Sequence, residues 1–173
     1  MSHAVDAIPL VLSPRFTEAD GQAAFDEWGA NCGPGALAAV ACVSLDDIRS
    51  HMGDFESKGY TNPMLMCAAL DSLGVRWWRV RREWPRYGLV RVQWEGPWTA
   101  AGVPQRARYR YTHWIGTAEV DGDCGIFDIN CMNNGTGWVS ERDWSDTIAP
   151  VLAGQHMRAS GGWHVTHGIE VRP

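Results

Sequence analysis

The sequence lacks the features that mark secreted and membrane proteins. Its five cysteines, Cys32, Cys42, Cys67, Cys124 and Cys131, are odd in number and contain no C-x-x-C pair. Neither a secreted disulfide scaffold nor a zinc ribbon is expected from that set. No apolar stretch approaches the ~20 residues needed to span a bilayer. The apolar run at 7–12 is short, is broken by Pro9 and has no basic flank, so it does not have the form of a signal peptide. A reducing, cytoplasmic setting without membrane attachment is the expectation. Lysine is nearly missing as well, with Lys58 alone against 14 arginines. Internal repeats, linkers and low-complexity tracts are also missing, which excludes solenoids and disordered arrays.

What is present suits one globular domain over residues 1–173. Apolar residues make up 45% and charged residues 20% of the chain. A chain of this size buries ~70% of the surface that its unfolded form exposes. Residues 1–25 read as a lead-in segment with Pro9 and Pro14 and no clear period. Residues 26–74 read as helical. A small-residue run, 36–43, follows Asn31-Cys32-Gly33-Pro34-Gly35, and Pro34 suits a first helical turn. Ser44 with Asp47 has the form of a capping box, and Asn62-Pro63 that of a cap and first turn, with Gly74 as the stop. After Gly74 the pattern becomes β-branched and aromatic. Strands are predicted over 75–82, 88–94, 106–120, 125–130 and 163–171, with a hairpin turn at Asp121-Gly122-Asp123. One helix, near 141–153, follows Ser140 and Asp143 within that sheet part. Helices first and strands second predicts an α+β fold, with N-terminal helices packed on an antiparallel sheet.

Among the cysteines, Cys32 stands at a predicted helix N-terminus. Unpaired N–H groups and about half a positive charge there favour a thiolate. Gly33 and Gly35 are expected to leave the backbone open to a substrate carbonyl. Cys42 and Cys67 are expected to be small buried helix residues. A thiolate nucleophile needs a base, and His113 on a predicted strand is the candidate. A lone histidine on a strand is more often only a satisfied sheet residue. Asp128 or Asn130, beyond the hairpin, could then orient the imidazole as a third triad member. Period 2 places both on one face, so the pattern does not choose between them; Asp128 is preferred because it stands between Phe127 and Ile129.

Asn-Cys-Gly-Pro-Gly-Ala-Leu, Ser-Leu-Asp-Asp-Ile-Arg, His-Trp-Ile and Phe-Asp-Ile-Asn, in this order over residues 26 to 131, resemble the papain-like cysteine peptidases. The nearest branch is the bacterial one that cleaves double-glycine leader peptides. The resemblance implies a central helix opened by Cys32, with His113 and Asp128 on neighbouring strands, and a protein or peptide substrate. Transglutaminase-like relatives share the Cys–His–Asp order, so hydrolysis and acyl transfer both stay open. The family carries a glutamine six residues before the cysteine, where its amide helps hold the oxyanion. Asp26 stands there in this chain. An ionised aspartate would repel an oxyanion, and losing one donor costs ~10²–10³ in rate. The Cys32 N–H remains, and Trp28, Asn31 and Gln22 are candidate replacements for the lost amide.

Residues 76 to 110 hold nine arginines and two glutamates, a net of +7 that leaves −12 on the remainder. Five of the ten tryptophans lie in the same span. Alternation of inward Trp with outward Arg on half-buried strands explains this pattern. A binding face is the other reading, with Arg79, Arg81, Arg82, Trp84 and Trp98 as contacts. On that second reading the chain is a non-catalytic papain-like scaffold that inhibits a protein or nucleoprotein partner, in the manner of a phage or mobile-element effector. Overall acidity disfavours nucleic acid as the main partner. His164 and His167 fall on opposite faces of a strand, so no shared metal is expected, and no cofactor is implied. The segment 131–137 reads as a flexible polar loop at the rim of a cleft.

Overall fold

Thr17, Ser44, Asn62 and Ser140 each begin a helix with a side-chain oxygen that accepts the backbone N–H three residues later. These caps set the helix starts in the computed structural model, which describes residues 13–81 and 83–172. The apolar run at 7–12 and Arg82 lie outside the described residues. The helices before the sheet are α1 (Glu18–Trp28), α2 (Cys32–Ala41), α3 (Leu45–Arg49), α4 (Phe55–Lys58) and α5 (Pro63–Ser72). The sheet part holds β1 (Arg76–Val80), β2 (Tyr87–Trp94), the short helix α6 (Gln105–Arg108), β3 (Thr112–Val120) and β4 (Asp123–Phe127). A 3₁₀ turn (Ile129–Asn134), β5 (Trp138–Ser140), α7 (Glu141–Asp143), a π-helical turn (Trp144–Ile148), α8 (Ala149–Gly154) and β6 (Trp163–Arg172) complete it.

Three expectations need correction. The lead-in segment carries α1 over its second half and beyond. Only Gly21, Ala24 and Trp28 of that helix are buried, so its apolar stripe is too thin to register as a period. The strand predicted from residue 106 starts at Thr112. Pro104 precedes the helical turn α6, and Tyr111 takes a left-handed φ of 52° just before the strand. The strand predicted through Asn130 stops at Phe127. Asp128 caps the 3₁₀ turn that follows by accepting the Asn130 N–H, and Cys131 and Met132 are buried there rather than lying in a polar loop.

The strands form one antiparallel sheet in the order β1-β6-β2-β3-β4-β5. The fold is α+β. The β3–β4 hairpin turns at Asp121 and Gly122, both at positive φ, as expected. The last strand returns between β1 and β2, so β2 sits at the centre with every residue buried. Alternate residues of the central strands face two different cores. Leu89, Trp114, Phe127 and Ile169 join Leu37, Ile48, Phe55 and Leu70 of the helices. Val90, Val92, Ile115 and Ile126 meet Trp144 and Leu152 on the other face. Each such buried side chain stabilises the fold by about 1.5–3 kcal/mol before ordering costs. Among the described residues, no helix is long and apolar enough to cross a membrane.

Candidate active site

Cys32 is the first residue of α2, with Asn31 as its N-cap. The Asn31 side chain does not cap the helix; its amide donates to the Gly21 carbonyl at 2.9 Å and ties α2 to α1. The start of α2 is packed very closely. A Cβ on Gly33 would lie 2.1 Å from Thr61 Oγ1, and one on Gly35 would lie 2.5 Å from Ile129 Cδ1. Both glycines are buried. They therefore let the helix approach its neighbours and do not open the backbone to substrate, contrary to expectation. Tyr87 fixes the far end of the helix by donating its hydroxyl to the Val40 carbonyl at 2.7 Å.

His113 is the second residue of β3, opposite Val92 on β2. Its Nε2 lies 2.9 Å from Asp128 Oδ2. The His113 side chain and the Trp114 backbone both act on the Cys32 sulfur and favour its thiolate. With Nε2 turned to the carboxylate, Nδ1 is the ring nitrogen left for Cys32. Asp128 is fully buried, which is costly for a charge unless its oxygens are paired. Oδ2 also accepts from the Trp144 indole at 2.8 Å, and Oδ1 accepts from the Asn130 backbone at 3.0 Å and its side-chain amide at 2.9 Å. Of the two triad candidates, Asp128 is the residue that touches the imidazole. Asn130 holds Asp128. The reason is the strand end at Phe127, which removes the period-2 relation between them.

Burial pushes all three groups towards their neutral forms, and their contacts outweigh it. The Asp128 carboxyl is held at about 2 by the charge and hydrogen bond of His113, with Trp144 and Asn130 adding to this. His113 is raised well above the ordinary imidazole value by Asp128 first and then by Cys32. The Cys32 thiol falls below its ordinary value because of the His113 hydrogen bond and charge and the Trp114 backbone, with the more distant Asp128 charge opposing. The set favours a thiolate beside an imidazolium. The other cysteines contrast with this. Burial raises Cys67, pushes Cys124 up to about 11 and Cys131 up to about 12. Cys67 is buried as expected, but Cys42 is partly exposed at a left-handed helix end rather than inside α2.

Of the side chains expected to replace the missing glutamine amide, Gln22 and Asn31 are hydrogen-bonded elsewhere and Trp28 is not. Gln22 donates to Asp26 at 2.8 Å on the exposed face of α1, so these two are paired with each other. Asn31 is bonded to Gly21, and the Trp28 indole N–H is buried and unpaired, packed between Phe55 and Arg49. At the start of α2, Pro34 has no N–H, the Gly35 N–H is bonded to the Asn31 carbonyl and Gly33 is buried, so the backbone N–H of partly exposed Cys32 is the anion donor that remains.

Two tryptophans were not singled out as site residues in the sequence. Trp94 stacks on the His113 ring with centroids 6.3 Å apart, and Trp144 stacks on Trp94 at 6.2 Å. The excess of tryptophan was the one signal pointing to them. Of the proposed binding face, Arg79 and Arg81 are exposed, beside an opening of about 260 Å³ that they line with Pro63 and His167. Trp84 and Trp98 are partly buried and pack against the second core. Among the described residues, no group of three or more His, Cys, Asp or Glu side chains is arranged to hold a metal ion. The chain matches no protein-family model and no curated protein.

Proposed function

We propose that the chain is a papain-like cysteine hydrolase that cleaves a peptide, isopeptide or amide bond through an acyl-enzyme. The observation that carries this reading is the buried His113–Asp128 pair, bonded at 2.9 Å, whose imidazole lowers the thiol of Cys32 at the start of α2. The Cys32 thiolate attacks the substrate carbonyl, and the Cys32 backbone N–H stabilises the oxyanion. The His113 imidazolium passes its Nδ1 proton to the departing amine, and the C–N bond breaks to leave a thioester. Neutral His113 then takes a proton from water as it attacks the thioester, and the thiol leaves as thiolate. Asp128 keeps the Nε2 proton in place and the ring aligned throughout. The binding-scaffold reading is weaker, because Trp84 and Trp98 are committed in part to the second core.

The test is iodoacetamide labelling of the native protein across about pH 5 to 9, with each modified cysteine mapped. Cys32 should react selectively well below the ordinary thiol pKa. Cys67, Cys124 and Cys131 should stay slow, since burial raises each of them. Equal, sluggish reaction at all five cysteines would overturn the reading.

A further inference from the structure

Arg91 lies at the centre of β2, opposite Trp114 on β3 and His167 on β6. It is 8% exposed. One guanidinium nitrogen donates to Thr112 Oγ1 at 3.0 Å, while the Nε–H is buried with no partner. Among the described residues, no carboxylate pairs with it. The guanidinium sits over the Tyr109 ring, 5.9 Å from its centroid. Arginine does not shed its proton, and a buried charge without a counter-ion is costly. A fold retains such a group more readily where something else supplies the anion.

The place of Arg91 indicates what that anion is. Its guanidinium bonds Thr112, the neighbour of His113, and its ladder partner Trp114 donates its indole to the Thr61 carbonyl at 3.0 Å, with Thr61 packed against Gly33 next to Cys32. Besides burial, the groups that act on the Arg91 charge are Tyr109, the Cys32 sulfur and Tyr60. Through Thr112 and Trp114 the cation is tied to the strand that carries His113, in the neighbourhood of the candidate nucleophile, whose own charge His113 already balances. An opening of about 390 Å³ is lined in part by Gln93, two residues after Arg91 on β2, and by Tyr109, whose ring the guanidinium covers; Arg91 and Cys32 themselves are not in its lining. A single guanidinium with an unused Nε–H balances the one charge of a carboxylate, whereas a doubly charged phosphate would leave one charge unbalanced; its fork suits either anion.

We infer that Arg91 is a substrate-binding residue that holds a carboxylate of the substrate next to the carbonyl attacked by Cys32. This rests on the reading of Cys32 as nucleophile. The carboxylate is either a peptide C-terminus or an acidic side chain.

Paired alkylating agents test the inference. Iodoacetate and iodoacetamide react alike, the thiolate forming a C–S bond as the C–I bond breaks and iodide leaves, but only iodoacetate carries a carboxylate. Normalised to glutathione, Cys32 should favour iodoacetate by about tenfold, the effect of one charge-assisted hydrogen bond, and should show saturation. Arg91→Gln should abolish the preference, and Arg91→Lys should keep only part of it. Calorimetry on Cys32→Ala, which retains Arg91, should show binding of succinate and not of succinamide. A glutathione-like ratio together with no succinate binding overturns the inference, even where Cys32 alkylates fast. Succinate binding that Arg91→Gln removes, with Cys32 inert to both reagents, upholds the carboxylate site and sinks the nucleophile. Protection of Cys32 by acetyl-glycyl-glycine but not its amide assigns a C-terminal carboxylate. Protection by the side-chain acid of an N-acetyl-aspartyl amide assigns an acidic residue. Protection by neither counts against the inference.

Discussion

The Trp144 indole donates to Asp128 Oδ2 at 2.8 Å, the same oxygen that faces His113 Nε2 at 2.9 Å. A residue on the π-helical turn thereby acts on the candidate base through the carboxylate between them. Trp144→Phe keeps an aromatic ring near Trp94 and removes this donor. The Asp128 carboxylate becomes less stabilised, the imidazolium less favoured and the Cys32 thiolate harder to form. The rate of Cys32 alkylation at pH 6 should fall about tenfold, as expected for one hydrogen bond to a charged group. The acid limb of its pH profile should move to higher pH. An unmoved limb would assign Trp144 to packing alone.

Tyr87→Phe provides the contrast. It removes the hydroxyl that donates to Val40 at the far end of α2. The unpaired carbonyl should cost about 1 kcal/mol, a fall in Tm of about 2–4 °C. The Cys32 pH profile should stay in place. Thermal unfolding followed alongside alkylation distinguishes the two variants.

Asp128 also ties stability to pH. Its carboxyl is held at about 2 in the folded chain, against about 3.9 for an unfolded aspartate. Its stabilising effect is therefore full above pH ~4 and is lost as pH falls towards ~2. The raised His113 works in the opposite direction: its contribution is full below the ordinary imidazole value and is lost as pH rises through the folded value. Asp128→Asn should flatten the acid loss between pH ~4 and ~2 in urea titrations and lower turnover by about 10²–10⁴. An acid loss identical to that of the wild type would show that other carboxylates carry it.

The start of α2 should tolerate no side chain at Gly33. The added Cβ of Gly33→Ala meets Thr61 Oγ1 at 2.1 Å and Thr61 Cβ at 2.9 Å. Overpacking of this kind costs about 1–3 kcal/mol. Thr61→Ala in the same chain should restore part of the loss, since it removes the nearest atom. Purely additive losses in the double variant, measured by denaturant unfolding, would argue against this contact as the cause.

The local chemistry of the sequence determined a good deal. Side-chain caps at Ser44, Asn62 and Ser140, the breaker at Gly74 and the Asp121-Gly122 turn act over three or four residues, so their elements lie where the sequence places them. Cys32 at a helix start and His113 on a strand are legible for the same reason. Tertiary structure decided the rest. It placed β6 between β1 and β2, buried β2 on both faces and left the Arg91 charge buried with an unpaired Nε–H. It chose Asp128 over Asn130 by ending β4 one residue before Asp128, and it brought Trp94 and Trp144 onto the imidazole and its carboxylate. No local pattern encodes these contacts. They depend on which distant strands pair and on what then fills the space between them, and that is settled only when the whole core is packed.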